Sequence, residues 1–164
     1  MGCRGVLFAI TEEQVEALLS ADSDAEVLRI VQEEIEDGWD EEHLVETDKA
    51  WAAMHRALSD GTLDPSGGTE PLNLAILGGR SLHEGDEYIV SFVAADKVPF
   101  VALALASTSE AEFRRRYDEM GPDDDDPEYG PDDCDYTWAY LCAVTDFYAR
   151  AARSGRAVIF TVDQ

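Results

Sequence analysis

Gly5-Val-Leu-Phe-Ala-Ile10 and Ala157-Val-Ile-Phe-Thr-Val162 are short apolar runs at opposite ends of a 164-residue chain. Each is too short for a buried helix and rich enough in β-branched and aromatic residues to read as a buried strand. A third run, Tyr88-Ile-Val-Ser-Phe-Val93, has the same character in the middle of the chain. The segments between them carry helical periodicity instead. Strands that bracket helices at both termini predict an α+β domain, with the terminal strands sharing one small sheet packed by five to six helices. Strands and helices do not alternate regularly, so a doubly wound nucleotide-binding fold is not expected.

Working outward, Thr11 with Gln14, Ser23 with Glu26 and Ser109 with Glu112 have the spacing of capping boxes, and each predicts a helix start. The first helix runs to Leu19 or Ser20 and is expected to bury Val15, Leu18 and Leu19. The second places Val27, Leu28, Val31 and Ile35 on one face, with an acidic face opposite, and stops at Gly38. His43 to Val45 reads as a short extended stretch. Asp48 is the expected N-cap of a helix from Lys49 to Leu58, whose Trp51, Met54, His55 and Leu58 share a face. Asp60-Gly61 and Asp64-Pro65-Ser66-Gly67-Gly68 form a turn-rich loop. Pro71 at a first helical position favours a helical turn up to Gly78-Gly79. Asp96 is read as the cap of a helix with Phe100, Val101, Leu103, Ala104 and Leu105, apolar nearly all round and therefore expected to be central. Phe113 and Tyr117 are read as inward-facing on the helix that follows. Residues 118 to 135 hold ten acids and no base, with Pro122, Pro127 and Pro131, and predict an acidic loop. An aromatic-rich helix from Tyr136 to Arg153 follows, closed by Gly155.

A chain of this length is read as one domain, residues 1–164. Hydrophobic residues make up 45%, enough for a core without disulfide or metal staples. Asp plus Glu is 36 and Lys plus Arg is 12, a formal net charge of −24. Direct nucleic-acid binding rests on cationic side chains neutralising phosphates, so this balance argues against it, and an anionic membrane surface would repel the chain for the same reason. A basic protein partner would be attracted. No run reaches the 18 apolar residues of a membrane span. Val6 to Ile10 is shorter than a signal-peptide core, and Val6 stands where a myristoylation signal takes Ser or Thr. The three cysteines, Cys3, Cys134 and Cys142, form no Cys-x-x-Cys pair and suggest a reducing cytoplasm. Cys142 is read as core packing.

Chemistry-bearing motifs are sparse. The Walker-type and Gly-x-Gly-x-x-Gly loops are absent, as is the Gly-x-Ser-x-Gly elbow. Gly78-Gly79 before Arg80 has backbone N–H groups to offer an anion but reads more simply as a turn. Asp123 to Asp126 matches a calcium loop in composition only. Counting from Asp123, the fifth position is Pro127 and the twelfth Cys134, so the EF-hand pattern fails and a solvated loop is the better reading. No spacing brings the cysteines or His43, His55 and His83 into a zinc set, and no metal or cofactor is expected. The cluster that stands out is Asp48, Trp51 and His55. An indole one helical turn from an imidazole can line a small-molecule pocket, with His55 titrating near neutrality. The plainer reading is a core-edge aromatic beside a satisfied histidine. Arg56 and Lys49 are expected to pair with surface acids.

The order Asp48-Lys49-Ala50-Trp51 with His55 and Leu58, then Pro71-Leu72 and Ala75-Ile76-Leu77-Gly78-Gly79, then the strand at Tyr88, Glu112-Phe113-Arg114 and Phe147-Tyr148 before the last strand, resembles the YfbM-like family of bacterial proteins. The resemblance spans most of the chain and implies a compact cytoplasmic α/β domain. That family has no assigned activity, so no residue role carries over. The acidic loop departs from it. Two functions are therefore weighed. The first is a non-enzymatic cytoplasmic interaction protein, such as an acidic inhibitor or immunity-type protein covering a basic partner. The alternative is a small-molecule-binding protein or small hydrolase-like enzyme, with a pocket around Trp51 and His55, and Gly78 and Gly79 as further candidate ligand-binding residues.

Overall fold

A computed structural model describes residues 3–123 and 128–164. Strands β1 (Gly5–Ile10), β2 (Leu44–Asp48), β3 (Arg80–Ser81), β4 (Tyr88–Val93) and β5 (Ala157–Asp163) form one antiparallel sheet in the order β2-β1-β5-β4-β3. The two terminal strands are central neighbours, in register from Val6 opposite Thr161 to Ile10 opposite Ala157. Among the described residues, six α-helices cover the sheet: α1 (Glu12–Leu19), α2 (Asp24–Arg29), α3 (Trp51–Leu58), α4 (Val98–Ala106), α5 (Glu110–Met120) and α6 (Pro131–Ser154).

Strand alternation divides the core. Leu7, Ala9, Val158, Phe160 and Val162 face α3, α4, α5 and α6, where Met54, Val101, Phe113, Val144 and Tyr148 are buried. Phe8, Ile10, Val90, Phe92 and Ile159 face the other way, against Leu18 of α1 and Val27, Ile30, Val31 and Ile35. The central strands are apolar on both sides because both of their faces are covered.

Several boundaries differ from those expected. The second helix continues past α2 as a π-helix, Ile30–Glu36, followed by an Asp37 N–H that reaches back five residues to Gln32. The wider turn buries Ile30 beside Val31 and leaves Leu28 half-buried. Asp48 is not an N-cap: it ends β2 at φ +47°, and Ala50 precedes α3 instead. Its carboxylate is drawn to Arg4 and Tyr136. Asp96 does not cap α4, whose preceding residue is Lys97. The box at Thr11 and Gln14 is complete, whereas Ser23 and Ser109 cap in one direction only, because the Glu26 and Glu112 carboxylates turn to arginines.

Helix α6 begins at Pro131, five residues before Tyr136. Proline needs no partner in a first turn, and Asp132 and Asp133 favour the positive end of the helix. Of the acidic segment, residues 118–120 thus belong to the end of α5 and residues 131–135 to the start of α6. Gly155 sits at φ +65° and lets the Arg156 N–H return to the Ala151 carbonyl, a glycine-dependent stop. Helix α4 is not central: Val98, Val101 and Leu105 are buried, but Phe100 and Leu103 face out. Cys142 is likewise exposed, on the outer face of α6. Both errors share a cause, since a uniformly apolar stretch does not reveal which side a neighbour covers.

Candidate functional site

The candidate cluster is built on α3, whose residues from Ala53 to Leu58 are all buried. Trp51 packs against Phe160 of β5 with ring centroids 5.7 Å apart, and its Nε1–H donates to the Cys3 carbonyl at 3.1 Å. The indole thereby pins the segment leading into β1. His55 is 1% exposed, and its Nε2 lies 3.2 Å from the Asp64 carbonyl. A carbonyl only accepts, so Nε2 carries the hydrogen in that contact. Burial pushes the His55 pKa down, and the hydrogen bond to Asp64 only partly offsets it. The ring is a neutral post under the turn-rich loop.

Asp48 stands at the end of β2 and not on α3. Its Oδ2 accepts from the Tyr136 hydroxyl at 2.8 Å, and its Oδ1 lies 3.2 Å from Arg4 Nε. Burial, followed by the bond to Asp48, pushes the Tyr136 hydroxyl up to about 12. Gly78 and Gly79 are packed against backbone: a side-chain carbon would meet the Asn73 carbonyl oxygen at 2.1 Å on Gly78 and that of Phe92 at 2.4 Å on Gly79. The Gly78 N–H donates to the Asn73 carbonyl. Asp48, Trp51, His55, Gly78 and Gly79 are thus joinery between strands, helices and loops. Each polar group named here meets a partner within the protein.

Two buried ionisable side chains, Arg56 and His83, escaped sequence reading. Arg56, expected on the surface, is 2% exposed. Its Nε donates to the Gly61 carbonyl at 2.9 Å and its Nη2 to that of Gly121 at 2.8 Å, with Asp123 Oδ2 at 4.0 Å. His83 is buried between α2 and the loop before β4. Its Nδ1 contacts the Gly85 carbonyl at 3.1 Å, while Nε2 lies 3.8 Å from Asp24 Oδ2 and 3.6 Å from Glu87 Oε1. Asp24 also accepts from the backbone N–H groups of Glu84 and Gly85. The periodicity of α3 marks position 55 as inward and puts position 56 beside that face, where an arginine reads as a surface residue. Nothing in the sequence around His83 marks it as buried.

The surface has a different chemistry. None of the aspartates and glutamates among the described residues is buried. Asp37, Asp40, Glu41 and Glu42 flank in sequence Trp39, which is 40% exposed, sits at φ +36° and lies T-shaped to Phe8 with ring centroids 6.1 Å apart. Among the described residues, no three His, Cys, Asp or Glu side chains are placed to hold a metal ion. Asp124 to Asp126 of the calcium reading lie outside the described residues. No described helix is long and apolar enough to cross a membrane.

The architecture is similar to that of a solved structure, the crystal structure of a protein of unknown function, YfbM, from Escherichia coli. The TM-score is 0.68 at 18% identity, over 97% of this chain and 99% of that one. At that identity the likeness is one of fold. No curated protein matches the chain. A family model described as a domain of unknown function (DUF1877) matches residues 1–161, and the chain belongs to that family.

Proposed function

We propose that this is a non-enzymatic, cytoplasmic interaction protein whose acidic surface covers a basic protein partner, in the manner of an inhibitor or immunity-type protein. The observation that carries this reading is the placement of its charge: a net −24 with every described carboxylate at least partly open to solvent. Such a field speeds encounter with a cationic partner and fades as salt rises. Trp39 supports it locally, because a half-exposed indole in an acid-rich stretch of sequence offers an apolar anchor and a cation–π face to arginine or lysine. The alternative, a small-molecule or hydrolase-like site at Trp51 and His55, has less support. Both rings are buried, and Trp51 Nε1 and His55 Nε2 are engaged with backbone carbonyls.

The test is capture at low salt followed by reconstitution with the purified partner. The expected result is a stoichiometric complex with a basic protein, whose association rate falls steeply with salt and whose affinity drops in Trp39→Ala. Failure to form any stoichiometric complex with a basic protein at low salt overturns the reading. A thermal shift with one metabolite, lost in His55→Ala while folding is kept, would favour the alternative.

A further inference from the structure

We infer that the outer face of α4 is a self-association surface, with a second copy of this chain as its occupant. Phe100 and Leu103 are 65% and 68% exposed, the highest values among the large apolar side chains described. They lie three residues apart, about one helical turn, and form a single patch with exposed Pro99. Beside Phe100 is a groove of about 210 Å³ lined by Glu70, Pro71, Leu74, Lys97 and Phe100. Lys97 and Glu70 pair at 3.2 Å on that groove. A protruding leucine next to an apolar groove is self-complementary under a two-fold axis: Leu103 of one copy meets the groove of the other.

Charge selects the occupant. Residues 97–109 contain one lysine and no acid, in a chain with 36 acids. Two copies carrying −24 each repel wherever their carboxylates face, and can meet only on a face cleared of acids. Helix α4 itself carries no acid and Glu70 on the groove is paired with Lys97, so this face would not attract a basic partner in preference to the acidic surface elsewhere.

Self-association therefore has a salt dependence opposite in sign to that of basic-partner binding. Screening weakens the repulsion between copies and leaves the apolar contact intact. The experiment is sedimentation equilibrium of the full chain over a concentration series at low and raised salt. The expected result is twice the single-chain mass at raised salt, and a single-chain mass for Phe100→Glu/Leu103→Glu with an unchanged melting curve. If that variant misfolds, Phe100→Ser/Leu103→Ser supplies the same comparison. A wild-type protein that stays at single-chain mass at its highest soluble concentration in both salts overturns the inference. So does a dimer that persists in the folded serine variant. Neither result bears on whether a basic partner is bound at low salt.

Discussion

The Tyr136 hydroxyl on α6 donates to Asp48 Oδ2 at the end of β2, at 2.8 Å and across 88 residues of sequence. Asp48 itself sits at φ +47°, a left-handed conformation that aspartate tolerates better than most side chains. Tyr136→Phe removes a bond to a charged acceptor and is expected to cost about 1–2 kcal/mol in urea unfolding. Asp48→Gly and Asp48→Ala lose the same bond, but glycine relieves the backbone, so Asp48→Gly should be more stable than Asp48→Ala by about 1 kcal/mol. Equal stabilities for these two variants would show that the left-handed turn stores no strain.

His55 gives the stability a pH dependence of known sign. Burial lowers its folded pKa below the unfolded value of 6.5. The unfolded chain then binds the proton more readily, so the histidine's contribution is complete above about pH 6.5 and is lost as pH falls towards the folded pKa. One such proton gives a slope of at most about 1.4 kcal/mol per pH unit. In denaturant titrations from pH 7.5 down to about pH 5, above the ordinary carboxylate range, His55→Gln should flatten part of the slope seen in the wild-type protein. Parallel profiles for the two proteins would mean that His55 titrates in the fold as it does unfolded.

The strands at both termini and the complete capping box at Thr11 were legible because each is set by residues adjacent in sequence. Asp48 was misread because its carboxylate answers to Arg4 and Tyr136, which reach it through the fold and not through helical spacing. Trp51 and His55 were correctly placed on one inward face, yet spacing alone could not reveal that carbonyls of Cys3 and Asp64 would engage them. The outward side of α4 was hidden for the opposite reason. A run such as Val98-Pro-Phe-Val-Ala-Leu-Ala-Leu105 is apolar on every side, so its exposed face leaves no periodic trace.

The three thiols should separate by reactivity in the native state. Cys142 is exposed and Cys134 is buried, while Cys3 is half-buried. Burial for Cys134 and partial desolvation for Cys142 raise both pKa values, and nearby acids add to this although Arg114 opposes it at Cys134, so labelling by a thiol-specific reagent is expected to be slow at neutral pH and faster in mild alkali. Cys142 should react in the folded protein and Cys134 only on unfolding, as read by mass spectrometry of labelled peptides. Labelling of Cys134 at the rate of Cys142 would indicate that the start of α6 opens readily.

Arg56 supplies the sharpest test of how the loop after α3 is held to the end of α5. Its fork reaches the Gly61 carbonyl through Nε and the Gly121 carbonyl through Nη2, with the Met120 carbonyl at 3.5 Å. The last carbonyls of a helix need donors from outside it, and a planar guanidinium can serve two directions at once. Arg56→Met keeps an apolar stem but abandons those partly buried acceptors, and is expected to cost about 2–3 kcal/mol in urea unfolding. Arg56→Lys retains the charge, yet a single ammonium cannot span both carbonyls, so it should recover no more than about half of that loss. An Arg56→Lys variant as stable as wild type would show that charge alone, without the fork, holds the two segments together.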